Sequence, residues 1–347
     1  IAKTIKINKT FEPTRYCFAV IGDNRPDEGT ISIDSDFDTV VNEMKYYGAY
    51  FVIDTGDLVG GGGYLTDSTI SSSDMHETLW NYTNDNMVWY MATGNHDVVR
   101  DGQSQGYGED IFTSYWGVLN QTIVYGNWSF IIFNSFRDTS SAHTTAEQGW
   151  VYDEQWTWFK NELDAYNDTY NIMVVNHHPP SCDSSWANET NRVDLKSMIE
   201  NSNVIASLSG HCHRSEFLTE NGVDYYVIGH GGADLHTCCG WTDYVYPYYG
   251  FVMFCVNETS EYDYYNVNVT DSGELNVTYN ASNDYTETSI KATIENSHAY
   301  SLPVMVRFRV PSTNTTDYNI TGADYYDVTE NNDGYVIIAK ATATGQS

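Results

Sequence analysis

The first two thirds of the chain alternate short apolar runs with helical or loop stretches. Apolar runs lie at Cys17–Ile21, Tyr50–Ile53, Met87–Met91, Ile172–Val175, Val204–Leu208 and Tyr225–Ile228. Short apolar runs set off by Gly, Asp or Asn read as buried strands. Between them, Phe37, Val40, Val41 and Met44 recur at helical spacing and predict a helix over Phe37–Tyr47. Trp158, Phe159 and Leu163 predict a second over Glu154–Tyr166, and Asp194–Ile199 a shorter third. Strands alternating with helices predict a layered α/β domain.

The pattern changes after about Phe251. Period-two alternation appears in Tyr264–Val269, Leu275–Tyr279, Ile290–Ile294 and Val304–Val310. Turn signals stand at Asp271-Ser272-Gly273 and Asn332-Asp333-Gly334. The chain therefore divides into a main domain over residues 1–285 and a small, β-sandwich-like module over 286–347.

Composition narrows the class. With 41% hydrophobic residues in 347, the chain can bury a sizeable core. No long uncharged apolar stretch predicts a membrane-spanning helix. The sequence opens at Ile1 without a charged-then-apolar leader, so any secretory leader is expected to have been removed. A formal charge of -31 disfavours nucleic acid and anionic membranes as stable partners. It leaves phosphorylated substrates open, because bound cations invert the local field.

Asn-x-Ser/Thr occurs at Asn8, Asn81, Asn120, Asn127, Asn167, Asn188, Asn257, Asn268, Asn276, Asn280, Asn314 and Asn319. Roughly five matches would arise by chance. The excess predicts an extracellular, secreted protein carrying N-linked glycans. Six cysteines fit that compartment. Cys17 and Cys255 sit in apolar runs and read as buried core. Cys182, Cys238 and Cys239 read as loop residues, where a bridge fits, and no spacing fixes the pairing.

Five apolar runs end in residues that bind hard or borderline metals. Phe18–Ile21 leads into Gly22-Asp23-Asn24-Arg25, and Phe51–Ile53 into Asp54-Thr55-Gly56-Asp57. Val88–Met91 precedes Gly94-Asn95-His96-Asp97, Ile172–Val175 precedes Asn176-His177-His178, and Val204–Leu208 precedes Gly210-His211-Cys212-His213. Sites in α/β sheets lie at the carboxyl ends of strands. Carboxylate and imidazole together suit zinc, iron or manganese better than calcium or copper.

The order Asp, then GD, then GNHD, then His, then GHxH resembles the calcineurin-like metallophosphoesterase superfamily, which includes purple acid phosphatases and metal-dependent phosphodiesterases. The likeness spans Tyr16–Val256, with Leu58-Val59-Gly60-Gly61, Phe133-Asn134-Ser135 and the Asp153–Phe159 stretch in support. It implies a four-layer αββα sandwich with two divalent or mixed-valence ions of Fe, Zn or Mn at one sheet edge. Asp57 would bridge them. Asp23 and His213 would hold the first ion, and Asn95, His177 and His211 the second. His178 would pack behind.

Most members carry DxH at the first motif, and purple acid phosphatases carry GDxxY. This chain has Arg25 and Gly60 at those positions. Arg25 would instead reach a phosphate oxygen or pair with nearby carboxylates.

The resemblance implies a phosphatase or phosphodiesterase that uses a metal-bridging hydroxide on a phosphorylated small molecule or phosphodiester. His96 would protonate the leaving group, and Asp97 would orient the His96 imidazole. The alternative is an extracellular scaffold, filament or coat subunit on a catalytically degenerate domain, self-assembling through the β module. Among other histidines, His76, His143 and His298 read as surface or loop residues. His230 is a candidate to line the site, and His236 reads as part of a disulfide loop.

Overall fold

The structure is a computed structural model that describes residues 15–25, 37, 40, 41, 44, 47, 49–58, 88–98, 109, 112–114, 116–136, 148–236, 248–270, 273, 275–299, 301–312, 319–330 and 333–345. Six of its strands fall on the six apolar runs. β1 (Tyr16–Ile21), β2 (Phe51–Asp54) and β3 (Val88–Met91) lie parallel in a five-stranded sheet. Antiparallel β10 (Gly250–Val256) and β11 (Tyr262–Asn268) complete it in the order β11-β10-β1-β2-β3.

A second sheet of six strands runs β4-β5-β6-β7-β9-β8. It comprises β4 (Gln121–Tyr125), β5 (Trp128–Ile132), β6 (Asn171–Val175), β7 (Val204–Ser209), β8 (Ser215–Glu220) and β9 (Val223–Ile228). Strands β5, β6, β7 and β9 are parallel, with β4 and β8 antiparallel at the edges.

Side-chain alternation shows why these sheets stack. On β1, Tyr16, Phe18 and Val20 enter one apolar cluster, whereas Cys17, Ala19 and Ile21 enter another. On β5 and β6, Phe130, Ile132, Met173 and Val175 join Phe18 and Phe51 between the sheets. Ile131, Ile172 and Val174 point the other way, onto Phe159 and Leu163 of α2 (Asp153–Tyr166) and Leu195 and Ile199 of α3 (Glu189–Glu200). A strand buried on both faces carries apolar residues at every position, which is why these read as continuous runs. The short turn Asn95–Val98 is α1.

On the far face of the five-stranded sheet, Phe37, Val40, Val41, Met44 and Tyr47 are helical and buried, as their spacing predicts. The architecture is the mixed α/β sandwich expected, with an all-β C-terminal part. That part holds β12 (Leu275–Tyr279) paired with β13 (Ala292–Asn296). It also holds a sheet β14-β16-β15, from Leu302–Pro311, Gly334–Ala343 and Tyr325–Glu330. Leu275, Leu302, Val304 and Val306 share a cluster with Cys17 and Ala19 of β1, so the C-terminal strands cover that sheet face.

Cys17 and Cys255 are more than buried core: they form a disulfide. The antiparallel register of β1 and β10 places them directly opposite each other. Cys182 and Cys212 are each engaged in a disulfide as well, the latter inside the GHxH run. His298 is buried rather than superficial, with its Nε2 3.4 Å from the Tyr47 hydroxyl. Asp271, Ser272 and Asn332 of the expected turns, Gly60, His76, His143, Cys238 and Cys239 lie outside the described residues.

Candidate metal centre

The carboxyl ends of β1, β2, β3, β6 and β7 bring their following residues together. Asp57 sits at the middle. Its Oδ1 accepts the His96 backbone N–H at 2.9 Å and lies 3.5 Å from His177 Nε2. Its Oδ2 lies 3.7 Å from Arg25 Nε and 3.9 Å from His96 Nε2. Asp23, fully buried, accepts the His211 N–H through Oδ2 at 2.8 Å and faces His213 Nε2 through Oδ1 at 3.4 Å. Asn95 Oδ1 stands 3.0 Å from His177 Nε2 and 3.2 Å from His211 Nδ1.

Donor atoms fall into two groups whose members lie within 4.8 Å of one another: Asp23, Asp57 and His213, and His177, His178 and His211. Three further features fit a cation. His177 Nδ1 donates to the Thr55 carbonyl at 2.9 Å, and His213 Nδ1 to the Asp234 carbonyl at 2.6 Å. Each bond fixes the tautomer and leaves Nε2 as the lone-pair donor facing the acids. Asp23 Oδ1 is buried without a hydrogen-bond donor. Asp23, Asp57 and His211 all hold left-handed backbone, at φ 53°, 60° and 69°. Such conformations cost free energy in non-glycine residues and cluster at functional sites.

The tight backbone also explains two glycines. A Cβ on Gly94 would collide with Asp57 Oδ1, and one on Gly210 would come within 2.6 Å of Asp23 Oδ2.

The electrostatics match a centre built for positive charge. Burial pushes Asp23 up to about 7. Burial also opposes the charge on Asp57, but His177, His96 and Arg25 outweigh it and hold its carboxyl well below the usual range. His177 is raised to about 9: burial disfavours its cation, yet Asp57 and Asp23 draw the proton. A divalent ion in that field takes the proton's place. Burial, with His177 nearby, keeps His211 well below its ordinary value, and burial with His236 lowers His213 to about 3. Both therefore offer lone pairs at neutral pH.

Asp97 accepts backbone amides from two loops. Its buried carboxylate accepts the backbone N–H of Asp57 at 2.8 Å, Gly94 at 2.7 Å and Leu58 at 2.9 Å. It thus ties the β2 loop to the β3 loop and fixes where Asp57 points. His96, 14% exposed, faces Asp57 from the open side. His178 packs beside His211, 4.6 Å between ring centroids, and meets the Ser135 hydroxyl through Nδ1 at 2.9 Å. His230 is fully buried against Tyr248, and burial lowers it to about 3.

Several contributors escape sequence reading. The Thr55 and Asp234 carbonyls carry no residue signal. Buried Asp54, held protonated-leaning by burial, accepts Asn24 Nδ2 at 2.6 Å and the Gly56 N–H at 2.9 Å. The imidazole of His236 lies 4.0 Å from that of His213.

Parallel strands whose ends converge on acid, amide and imidazole donors define an α/β protein with a metal-competent strand-end centre. A model described as calcineurin-like phosphoesterase matches residues 18–231, well over half the chain. The chain belongs to this family of metal-dependent phosphoester hydrolases. No curated protein sequence matches it.

Among solved structures, it is similar to a purple acid phosphatase from yellow lupin (Lupinus luteus) seeds. That match has 16% identity and a TM-score of 0.51, covering 74% of this chain and 52% of that one. The chain therefore spans about half the length of the lupin protein. A dimetal phosphatase from Danio rerio matches at 12% identity and TM-score 0.51, covering 73% and 96%. A Plasmodium structure described as GAP50, the anchor in the inner membrane complex, matches at 14% and 0.53, covering 75% and 86%. At these identities the likeness is one of fold.

Proposed function

We propose that the protein is a secreted, glycosylated phosphoester hydrolase with a dinuclear centre. The observation that carries this reading is the pair of donor groups meeting at Asp57. Asp23, Asp57 and His213 would hold one ion, and Asp57, Asn95, His177 and His211 the other. When bound, such ions supply a nucleophile at neutral pH and neutralise charge on the ester oxygens. Mixed carboxylate, amide and imidazole donors favour Fe, Zn or Mn.

The chain's own groups do the rest. Asp97 holds the loop that carries Asp57. His96 stands at the open side, placed to give a proton to the departing alkoxide. Arg25, 12% exposed beside Asp57, supplies a guanidinium for a phosphate oxygen. A phosphate monoester or diester is the substrate class. The buried disulfide Cys17–Cys255 supports an oxidising compartment. So does the fact that no described sequon asparagine is buried: Asn276, Asn280 and Asn319 are exposed, and Asn120, Asn127, Asn167, Asn188, Asn257 and Asn268 half-buried.

Protein loaded with Mn, Zn or Fe should hydrolyse para-nitrophenyl phosphate or its bis-ester, and Asp57→Asn should abolish turnover. Absence of turnover on both esters with every metal rejects the enzyme. A second reading, an exterior scaffold or coat subunit that self-assembles through its β module, draws on the Arg25 cation lying against Asp57. Protein that binds no metal and forms ordered assemblies would favour it.

A further inference from the structure

Resting on the metal-hydrolase reading above, we propose that Arg25 is a built-in competitor for the ion of the Asp23–Asp57–His213 group, so the two positions fill unequally. One ion binds tightly through Asp57, Asn95, His177 and His211. The second enters only by moving the guanidinium aside.

The two carboxylate oxygens of Asp57 serve different neighbours. Oδ1 takes the His96 N–H and faces His177, on the side of the imidazole-rich group. Oδ2 faces the Arg25 Nε at 3.7 Å. The guanidinium cannot drift away with its backbone, because the Arg25 N–H donates to the Asp57 carbonyl at 3.0 Å. Arg25 is 12% exposed, so water screens its charge little. A guanidinium, unlike an imidazolium, does not shed its proton when a metal arrives. An ion entering beside Asp23 therefore meets a fixed positive charge.

On the opposite half, Asp57 Oδ1 faces the His96 backbone N–H and the His177 imidazole rather than a guanidinium. Asp23 Oδ1 and His213 Nε2 still face each other at 3.4 Å, so the donors of the contested position are present. The position is contested rather than absent.

The test is calorimetric titration of chelator-stripped whole protein with Mn²⁺, with bound metal counted after gel filtration. The wild type should keep one equivalent and take a second at least about tenfold more weakly, the size expected of one nearby unit charge. Arg25→Gln removes the charge but keeps much of the side chain. It should tighten the second step by about tenfold or more and leave the first within about twofold. Arg25→His adds an imidazole and should keep two equivalents. Far-UV circular dichroism and melting confirm that each variant is folded.

Two equal-affinity ions in the wild type overturn the inference and leave the hydrolase reading intact. A folded Arg25→Gln variant with an unmoved second step does the same. No bound metal in any of the three proteins rejects the inference and the hydrolase reading together.

Discussion

Replacing Asp97 with Ala separates two roles that the same residue could play. The Asp97 carboxylate accepts three backbone N–H groups, from Asp57, Leu58 and Gly94, at 2.8, 2.9 and 2.7 Å. Asp97→Ala leaves these donors without that acceptor in a buried place. Each orphaned donor costs about 1–3 kcal/mol, so the sum is roughly 3–6 kcal/mol once the loops relax and admit water. Asp97→Asn can place its amide oxygen where Oδ2 lies and keep the bonds to Asp57 and Gly94. Its NH₂ then opposes the Leu58 N–H, at about 2 kcal/mol.

The assay is thermal melting of chelator-treated protein beside Mn²⁺ calorimetry and turnover. Asp97→Ala should melt at least about 5 °C lower than the wild type, with Asp97→Asn between them. Metal affinity should fall with it, because Asp57 loses its fixed backbone. A residue that only orients the His96 imidazole would cut turnover and leave melting and metal affinity unchanged. That outcome would refute the reasoning.

Other consequences follow from burial and charge. His230 has both ring nitrogens buried without hydrogen-bond partners, and burial lowers its pKa to about 3. The neutral form is therefore favoured in the folded state, full stability holds above the unfolded value, and it is lost as pH falls toward 3. At pH 5 the loss is about 2 kcal/mol, so urea denaturation at pH 8 and pH 5 should show the wild type losing that much more than His230→Phe. His177, raised to about 9 in the metal-free site, must lose a proton to bind metal. Apparent Mn²⁺ affinity should then rise about tenfold per pH unit up to pH ~9, with proton release in calorimetry; a flat profile contradicts it. Paired Cys17→Ala and Cys255→Ala changes should lower stability by about 2–4 kcal/mol in urea, the usual size of a lost disulfide. An unchanged midpoint would argue against a native bridge.

Of the strands that carry the site, β1, β2, β6 and β7 were legible because they are buried on both faces, whereas β3, at a sheet edge with Val88 exposed, was read from its apolar residue types alone. Every position of β1 is buried, so periodicity needs no phase and the run stands out. The edge strands of the six-stranded sheet were not legible. Residues of β4 are half-buried throughout, and β8 mixes Ser, Glu and Thr with Phe and Leu, so neither forms an apolar run. The helix Glu189–Glu200 was seen only from Asp194, because its first turn is Glu-Thr-Asn-Arg, capped by the Asn188 side chain rather than marked by apolar residues.

Within the site, residue types at strand ends pointed to Asp23, Asp57, Asn95, His177, His211 and His213. What holds them was hidden, because backbone donors and acceptors leave no mark in the sequence. Asp97 is the clearest case: adjacency to His96 suggested one partner, and three-dimensional packing adds the amides of Asp57 and Leu58 from the β2 loop and of Gly94 from its own. The Cys17–Cys255 bridge was hidden for a related reason, since 238 residues separate its ends and only strand register brings them together.

The central claim is that the strand-end residues hold metal. Anomalous diffraction at the manganese edge, from crystals grown with Mn²⁺, tests it most directly. The account predicts a strong peak within coordination distance of Asp57, Asn95, His177 and His211, and a weaker or absent peak beside Asp23 and His213. No peak at these residues in manganese-saturated crystals would contradict it.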